Sequence, residues 1–379
     1  VPKDIKRWDD LIRIPILSKD DIQSSKEEML AQNMKRKYLV PRNTSGSLGT
    51  PLEFFVDDFS MQWKRGCTLM FQEWTGWKLG ERVAMVWGNP EYKQSLRGRI
   101  RNLLLERCTF LDTLDMNERT MWDFANVLRH KYHSLLFGHA HSIYLFALFL
   151  EKNRINDIQP KGIISSAMIL HNWEREKIEQ VFKCKVLNRY GCEEVSLIAS
   201  ECEKQQGLHI NLDSLHLELI GRDGPAEPGE LATIVVTDLT NYGMPFIRYR
   251  IGDIGMPSIR QCECGRGFPL MESVVGRAAD FLVTPEKNVV SGISMTENFA
   301  NLIPHIKQLQ IIQDAIDHII IKIVKAPGFD QLSLDKIKQL VAERLGPDMK
   351  YSCEYVDEIL PEAGGKYRFV KSLVPNPFL

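Results

Sequence analysis

A loop rich in serine, threonine and glycine lies near the start of the chain, within the stretch RNTSGSLGTPLEF from Arg42 to Phe54. Two glycines would let backbone N–H groups approach an anion, and three hydroxyl side chains would add donors. These five residues are Thr44, Ser45, Gly46, Ser47 and Gly49. Their spacing differs from the Walker pattern, which ends in Gly-Lys and a hydroxyl residue. Alone, the stretch predicts either a phosphate-binding loop or a solvated, flexible one.

A second group of residues has the chemistry of metal ligands. Three thiols and one imidazole are available at Cys202, His209, Cys262 and Cys264. A Cys₃His set is typical of a structural zinc site, in which four protein ligands leave no open position for catalysis. The spacing, Cys-x₆-His and later Cys-x-Cys, is not that of a standard zinc finger. Reduced cysteines beside a core histidine are the alternative interpretation.

The elements that must position these residues begin with an alternation of strand and helix patterns. Short apolar strands alternate with amphipathic helices from about residue 83 to residue 190, which predicts a largely parallel sheet covered by helices. The predicted strands are 82–88, 134–138, 161–167 and 185–191, and the predicted helices are 118–130, 142–153 and 172–182. Ahead of them, the patterns predict a capped helix over 18–33, a strand over 52–56 and a helix over 60–75.

The remainder of the chain has a different character. Residues 208–250 are rich in β-forming residues, which predicts an antiparallel lobe packed on the α/β body. After 274–283 the pattern is β-β-α-β, with a helix capped by Ser333 and ended by Gly346. We therefore expect an N-terminal domain over 1–276 and a small α+β lid domain over 277–379.

Composition narrows the class of protein. The chain has 379 residues, 44% of them hydrophobic, and a net charge of −1. This favours two or more domains and gives no indication of nucleic acid or an anionic membrane as the main partner. The longest apolar run, Ile143–Leu150, is too short to span a bilayer.

Eight cysteines without a secretion signal favour a cytoplasmic protein with reduced or metal-bound thiols. The chain starts without Met, which predicts that an N-terminal segment is missing.

Four further stretches follow the opening loop in a fixed order. They are NRYGCEEVSLIASEC at 188–202, GELATIVVTDLTNYGMPFIRYRIGD at 229–253, VVGRAADFLV at 274–283 and LPEAGGKYRF at 360–369. Together with the loop they resemble the adenylate-forming superfamily, closest to the phenylacetate–CoA ligase family and its CapK-type branch. The resemblance covers nearly the whole chain. It implies a large domain of parallel α/β sheets with a β-rich lobe, followed by the small lid.

The resemblance also implies roles for individual residues. Glu194 would contact Mg²⁺ and take part in catalysis, Asp253 would bind the ribose hydroxyls, and Arg277 would contact the nucleotide. Lys366 would be the catalytic lysine, where a compact cation can stabilise charge developing on the α-phosphate. The aromatic ring at Tyr190, followed by Gly191, would stack on adenine, and the opening loop would hold the β- and γ-phosphates of ATP.

Three positions depart from the family pattern. Thr50 stands where many relatives have lysine, and Met168 where relatives often have glutamate. Ala279 stands where the family commonly has the acidic hinge residue of the lid, which puts the usual CoA half-reaction in doubt. The acid pocket itself, expected near 137–142 and 165–170, is not readable in detail from the sequence.

The motifs as a set predict ATP-dependent activation of a small carboxylic acid as an acyl-adenylate, with release of pyrophosphate. The acyl group would then pass to CoA, a carrier thiol or an amine. Alternatives are AMP transfer to a hydroxyl acceptor, a nucleotide-binding protein without catalysis, and a structural zinc scaffold. The sequence leaves the oligomeric state open, with a homodimer as one option.

Overall fold

The computed structural model describes residues 5–43, 52–88, 96–222, 224–277, 281–286, 289–291, 295, 302–360 and 368–374. The described chain divides into two compact units. The first contains the described residues up to Ile251 together with Gly255–Ser273. The second contains Gly252–Ile254 and the described residues from Val274 onwards. The domain boundary expected at 276/277 stays a prediction.

The described residues of the first part of the chain, up to Arg277, form thirteen strands. They are β1 Leu39–Asn43, β2 Glu53–Asp57, β3 Val83–Trp87, β4 Cys108–Asp112, β5 Leu135–His139, β6 Gly162–Ser166, β7 Val186–Cys192, β8 Ser196–Ser200, β9 Leu208–Ile210, β10 Leu215–Ile220, β11 Ala232–Asp238, β12 Tyr249–Pro257 and β13 Leu270–Arg277. The α-helices are α1 Lys19–Ser24, α2 Asp58–Glu73, α3 Leu96–Arg101, α4 Glu118–His130, α5 Ala140–Lys152 and α6 Asn172–Phe182. Short 3₁₀ turns occupy Trp8–Arg13, Arg36–Tyr38 and Thr113–Asp115, and a π-helical turn follows α3 at Asn102–Glu106.

Eleven of these strands form one sheet, in the order β10-β11-β12-β13-β9-β8-β7-β6-β5-β3-β4. The strands from β4 to β7 are parallel, as the alternating pattern predicts. β8 then runs antiparallel to β7, because three residues connect them and a parallel return needs a long crossover. The β-rich stretch therefore extends the edge of the same sheet instead of packing on it as a separate layer.

The core of the first unit lies between the parallel strands and helices α4, α5 and α6. Helix α5 is apolar and buries Ile143, Phe146, Ala147 and Leu150, a spacing that places all four side chains on one helical face. This face packs on the sheet. Because β5, β6 and β7 are parallel neighbours, their carboxyl ends lie at one edge. Among the described helices, none has both the length and the hydropathy needed to cross a bilayer.

The first predicted helix is shorter than expected. Ser18 does cap α1, since its hydroxyl accepts a hydrogen bond from the Asp21 amide at 3.2 Å. The helix nevertheless ends at Ser24, and the expected span to residue 33 is wrong. Ala31 donates its amide to the Gly243 carbonyl at 3.0 Å. Long-range backbone pairing of this kind overrides local helix propensity.

The described part of the second unit contains six strands and one helix, of which the sequence indicated three strands and the helix. The strands are β14 Phe281–Val283, β15 Val289–Ser291, β16 Ile306–Ala315, β17 His318–Lys325, β18 Lys350–Tyr355 and β19 Val370–Ser372, and helix α7 is Gln331–Leu345. Four strands form a sheet in the order β18-β17-β16-β19, in which β19 is the unexpected member. Helix α7 buries Ile337, Leu340, Val341 and Leu345.

The ends of α7 show one wrong and one correct expectation. The N-cap is Asp330 and not Ser333, because the Asp330 carboxylate accepts from the amides of Leu332 and Ser333 at 3.0 and 3.3 Å. The Ser333 hydroxyl instead donates to the Pro304 carbonyl at 3.0 Å. Gly346 follows the helix with φ of +93°, a conformation that glycine adopts without strain, as predicted.

Candidate active site and metal centre

A buried glutamate lies in the turn where the sheet changes from parallel to antiparallel. β7 and β8 are joined by Glu193, Glu194 and Val195, of which Val195 is buried and Glu193 is exposed. Glu194 is only 9% exposed, and its Oε1 accepts a hydrogen bond from the Tyr249 hydroxyl at 3.0 Å. The carboxylate thus lies at the carboxyl end of the last parallel strand, the edge at which open α/β sheets bind ligands.

The backbone geometry just before this turn requires glycine at position 191. The β7–β8 pairing is irregular between Tyr190 and Gly191. A Cβ atom at Gly191 would collide with the Ser196 carbonyl oxygen. Ser196 itself has a positive φ of 66°. The tight return of the chain therefore requires glycine here and leaves the half-buried Tyr190 one position before it.

The structure describes only some of the other residues expected in the nucleotide site. Asp253 lies in β12 on the same strand as Tyr249, and is half-buried. Arg277 is the last residue of β13. The loop residues Thr44, Ser45, Gly46, Ser47 and Gly49, and also Thr50, Ala279 and Lys366, lie outside the described residues.

The strands on either side of the opening loop are described, however. β1 and β2 form an antiparallel pair in which Asn43 lies opposite Glu53. β2 also agrees closely with the strand predicted over 52–56. Asn43 and Glu53, the strand residues that flank the Ser/Gly-rich stretch in the sequence, are therefore held opposite each other.

A buried arginine beside this edge was missed by the sequence reasoning. Arg189 is 8% exposed, and its guanidinium lies 5.5 Å from the Phe137 ring centroid and donates from Nη2 to the Thr68 carbonyl at 3.2 Å. Burial lowers its pKa to about 10. No local signal marks this residue, because an arginine before Tyr-Gly has no characteristic spacing.

The region expected to form the acid pocket contains two histidines with different surroundings. His139 is fully buried, and its ring lies 4.1 Å from that of Trp87. His141 is hydrogen-bonded through Nδ1 to the fully buried Glu174 at 2.8 Å. Neither histidine is therefore a solvated turn residue. Glu174 is a second polar group that the sequence pattern did not indicate.

The predicted Cys/His set is brought together. The ligand atoms of Cys202, His209, Cys262 and Cys264 all lie within 4.8 Å of one another. Cys202 Sγ is 3.5 Å from Cys262 Sγ, and Cys264 Sγ is 3.5 Å from His209 Nε2. Ligand atoms around a tetrahedral zinc ion are separated by about 3.5–3.8 Å, which follows from Zn–S and Zn–N bond lengths. The four ligand atoms are therefore close enough together to share one cation.

Groups around the cluster orient its members. His209 Nδ1 donates to the Phe268 carbonyl at 3.3 Å, so that Nε2 is the nitrogen directed at Cys264. The Lys204 amide donates to Cys202 Sγ, and the Arg266 amide donates to Cys264 Sγ, both at 3.4 Å. Amide donors two residues after each cysteine stabilise negative charge on sulfur.

The ionisation of these groups fits a cation site. Burial raises the pKa of the Cys202 thiol to about 12, and it lowers the pKa of His209. Burial also opposes ionisation of Cys264, but hydrogen bonds led by that of the Arg266 amide lower its pKa overall. A bound divalent cation would deprotonate the thiols outright, and His209 is already favoured in the neutral form that binds metals.

The cluster joins separate parts of the first unit. Cys202 follows β8, His209 lies in β9, and the two remaining cysteines precede β13. Trp74, at the end of α2, packs edge-on against the His209 ring at 5.3 Å. The Arg266 guanidinium lies 4.7 Å from the Trp74 ring and pairs with Glu203 at 2.8 Å. All eight cysteines are free of disulfides.

Comparison with known proteins gives two relatives and one domain family. Residues 282–373 match the CapK C-terminal domain. Protein CapK of Staphylococcus aureus is 24% identical over 364 residues, which is 94% of this chain and 79% of that protein. Phenylacetate-coenzyme A ligase of Thermus thermophilus is 27% identical over 179 residues, which is 45% of this chain and 40% of the ligase.

A solved structure shows the same fold. The 2-hydroxyisobutyryl-CoA ligase, crystallised in the postadenylation state with 2-HIB-AMP, matches with a TM-score of 0.75 at 16% identity, over 98% of this chain and 82% of the ligase. The predicted fold class is thereby confirmed. The chain therefore shares its fold with a ligase crystallised with 2-HIB-AMP, and part of its sequence is similar to a phenylacetate-coenzyme A ligase. Its residues 282–373 match the CapK C-terminal domain, and most of its length is similar to protein CapK.

Proposed function

We propose that this protein activates a small carboxylic acid with ATP to give an acyl-adenylate and pyrophosphate. The observation that carries the proposal is the buried Glu194 carboxylate in the turn after the last parallel strand, next to Tyr190–Gly191. A buried carboxylate at a ligand-binding sheet edge suits Mg²⁺, which binds few carboxylates together with substrate phosphates and water. Similarity to two CoA ligases supports the same reaction class.

The reaction has two steps. A carboxylate oxygen of the acid attacks the α-phosphorus of ATP, the bond to the bridging oxygen of the β-phosphate breaks, and pyrophosphate leaves. A nucleophile then attacks the acyl carbonyl, and AMP leaves. We propose a thiol, with CoA as the first to test, because the matched ligases are named for CoA. An amine is the next acceptor to test.

The residue roles are proposed on the order of the motifs and the chemistry of each side chain. Glu194 would hold Mg²⁺ on the phosphates, and Asp253 would accept hydrogen bonds from both ribose hydroxyls. Lys366 would stabilise charge that develops on the α-phosphate and carboxylate. The remaining contacts to the nucleotide would come from Arg277, Tyr190, Gly191 and the loop residues Thr44, Ser45, Gly46, Ser47 and Gly49.

We further propose that Cys202, His209, Cys262 and Cys264 hold a structural Zn²⁺. The support is the mutual distance of their ligand atoms, at most 4.8 Å, and the amide donors on two of the sulfurs. Four protein ligands would close the coordination sphere, so the metal would stabilise the fold without taking part in the chemistry.

A screen of carboxylic acids tests the proposed reaction. The protein is incubated with ATP, Mg²⁺ and one acid at a time, and pyrophosphate release is measured with a coupled assay. We expect release that depends on a chemically related subset of the acids and is absent without acid. Titration calorimetry with ATP–Mg²⁺ is run in parallel. Nucleotide binding without pyrophosphate release for every acid would contradict adenylation and indicate a nucleotide-binding protein instead.

A further inference from the structure

One short helical segment exposes its apolar side chains. Helix α3 and the π-helical turn after it cover Leu96–Glu106, and five aliphatic residues in this stretch are between 50% and 75% exposed. These residues are Leu96, Ile100, Leu103, Leu104 and Leu105. Scattered exposed leucines are normal on a protein surface, but five within ten residues form a continuous apolar patch. We call this stretch the leucine–arginine segment.

One polar residue of the segment, Asn102, faces the fold. Asn102 Oδ1 accepts from the Cys108 amide, and Asn102 Nδ2 donates to the Cys108 carbonyl, both at 2.8 Å. A helix that packs on a core does the opposite, because it buries its apolar stripe and exposes its polar residues. Here the aliphatic side chains are exposed instead, so they are available to an apolar environment from outside the described chain.

The charges beside the apolar face are positive. The sequence LRGRIRNLLLER contains four arginines and a single acid, Glu106. Glu106 pairs with Arg101 at 2.9 Å, and Arg99 is exposed. Arg107 donates to the Gly80 carbonyl at 2.8 Å, which brings it next to Leu79, a further leucine that is 72% exposed. The patch is thus cationic and aliphatic in a chain whose net charge is −1.

We propose that the leucine–arginine segment docks the protein on an anionic phospholipid surface. In the sequence, Leu96, Ile100, Leu103 and Leu104 have the i, i+4, i+7, i+8 spacing of one helical face, and arginines are interspersed at positions 97, 99 and 101. Such a helix lies in the membrane interface with its apolar face among the acyl chains and its cations at the headgroups. The described apolar residues of the patch are all aliphatic, whereas protein interfaces are enriched in aromatic residues. The proposal concerns where the protein is located, and it does not depend on the proposed adenylation reaction.

Vesicle flotation tests the proposal with the full chain. Wild type is mixed with phosphatidylcholine vesicles with or without phosphatidylglycerol, at low and high salt. The test variant is Leu103→Glu/Leu104→Glu, and the matched control is Ile259→Glu/Leu332→Glu, which changes two residues that are 81% and 71% exposed elsewhere. Thermal melts check that both variants fold, and light scattering after gel filtration gives the mass of each.

We expect wild type and control to float with anionic vesicles at low salt, and the test variant to lose at least about tenfold in partitioning. High salt should weaken wild-type binding, because headgroup attraction is screened. Equal binding by the test variant and wild type would overturn the proposal, as would absence of binding to anionic vesicles. A wild-type dimer that becomes a monomer only in the test variant would also overturn it, since the face would then contact a second copy.

Discussion

The two ends of β8 hold two different kinds of polar cluster. Glu194 lies before the strand, and its carboxylate accepts from the neutral hydroxyl of Tyr249. Cys202 lies after the strand, in a group of four ligand atoms that face one another. The strand has five residues and a length of about 17 Å. One short strand therefore separates a carboxylate suited to a substrate-bound metal from a closed set of ligands.

This difference indicates which function each cluster can have. A carboxylate at the carboxyl edge of a parallel sheet can meet a ligand from solvent, and its loss should affect chemistry. A set of four sulfur and nitrogen ligands would leave a bound metal no open position, and its loss should affect folding. Substitutions at the amino end of β8 should therefore lower activity, and substitutions at its carboxyl end should lower stability.

The largest loss of activity is expected for Lys366→Ala. Removal of one group that stabilises transition-state charge costs about 10²–10³ in rate. The rate of acid-dependent pyrophosphate release should fall by this amount, with zinc content unchanged. Lys338→Ala, which removes an exposed lysine on α7, is the control and should behave as wild type. A Lys366→Ala protein with the wild-type rate would exclude the proposed catalytic role.

Glu194→Gln should have the next largest effect. The amide keeps the size of the side chain but loses the charge that would hold Mg²⁺, so we expect a loss of about 10² in kcat/KM and a higher Mg²⁺ requirement. Glu193→Gln is the matched control, because Glu193 is the exposed neighbour in the same turn. If the two variants lose the same activity, the turn has a general electrostatic effect and Glu194 no specific role.

Tyr249→Phe, which also acts at the amino end of β8, should cause a smaller loss of activity. It removes a hydrogen bond to a charged group, which contributes about 1.5–3 kcal/mol, so we expect about a tenfold loss in kcat/KM. Because Tyr249 acts through Glu194, the double variant with Glu194→Gln should be no worse than Glu194→Gln alone. Additive losses in the double variant would contradict this positioning role. Tyr132→Phe, at an exposed tyrosine, serves as the control.

Cys262→Ser should have the smallest effect on catalysis and a large one on stability. We expect zinc content by elemental analysis to fall from one ion per chain to near zero, and the melting temperature to fall by several degrees. The folded fraction should keep its kcat within about twofold. Cys108→Ser is the matched control, since its thiol donates to the Glu106 carbonyl and lies outside the cluster. Zinc well below one per chain in wild type never exposed to chelator would contradict the proposed site.

The sequence was most informative where structure depends on local pattern. Helices 118–130 and 172–182 were predicted with their observed bounds, because apolar periodicity and caps mark both ends. The Cys/His group was predicted from ligand chemistry although its spacing is irregular. In contrast, the Tyr249–Glu194 hydrogen bond joins residues 55 positions apart, and no local signal reports it.

Other features were unpredictable for the same physical reason. The early end of α1, the hydrogen bond of the Ser333 hydroxyl to Pro304 and the burial of Arg189 all depend on partners that are distant in sequence. The exposed face of the leucine–arginine segment is a further case. Its helical periodicity is readable from the sequence, but the direction in which the leucines point is fixed by Asn102 and Cys108.

Pyrophosphate–ATP exchange tests the central claim most directly, because exchange requires reversible formation of an acyl-adenylate. Labelled pyrophosphate is added to protein, ATP, Mg²⁺ and the acid that gives the highest release. We expect labelled ATP to form only when acid is present. Exchange should be retained in Glu193→Gln and lost in Glu194→Gln. Exchange that does not depend on acid, or that is equal in the two variants, would contradict acid activation at the amino end of β8.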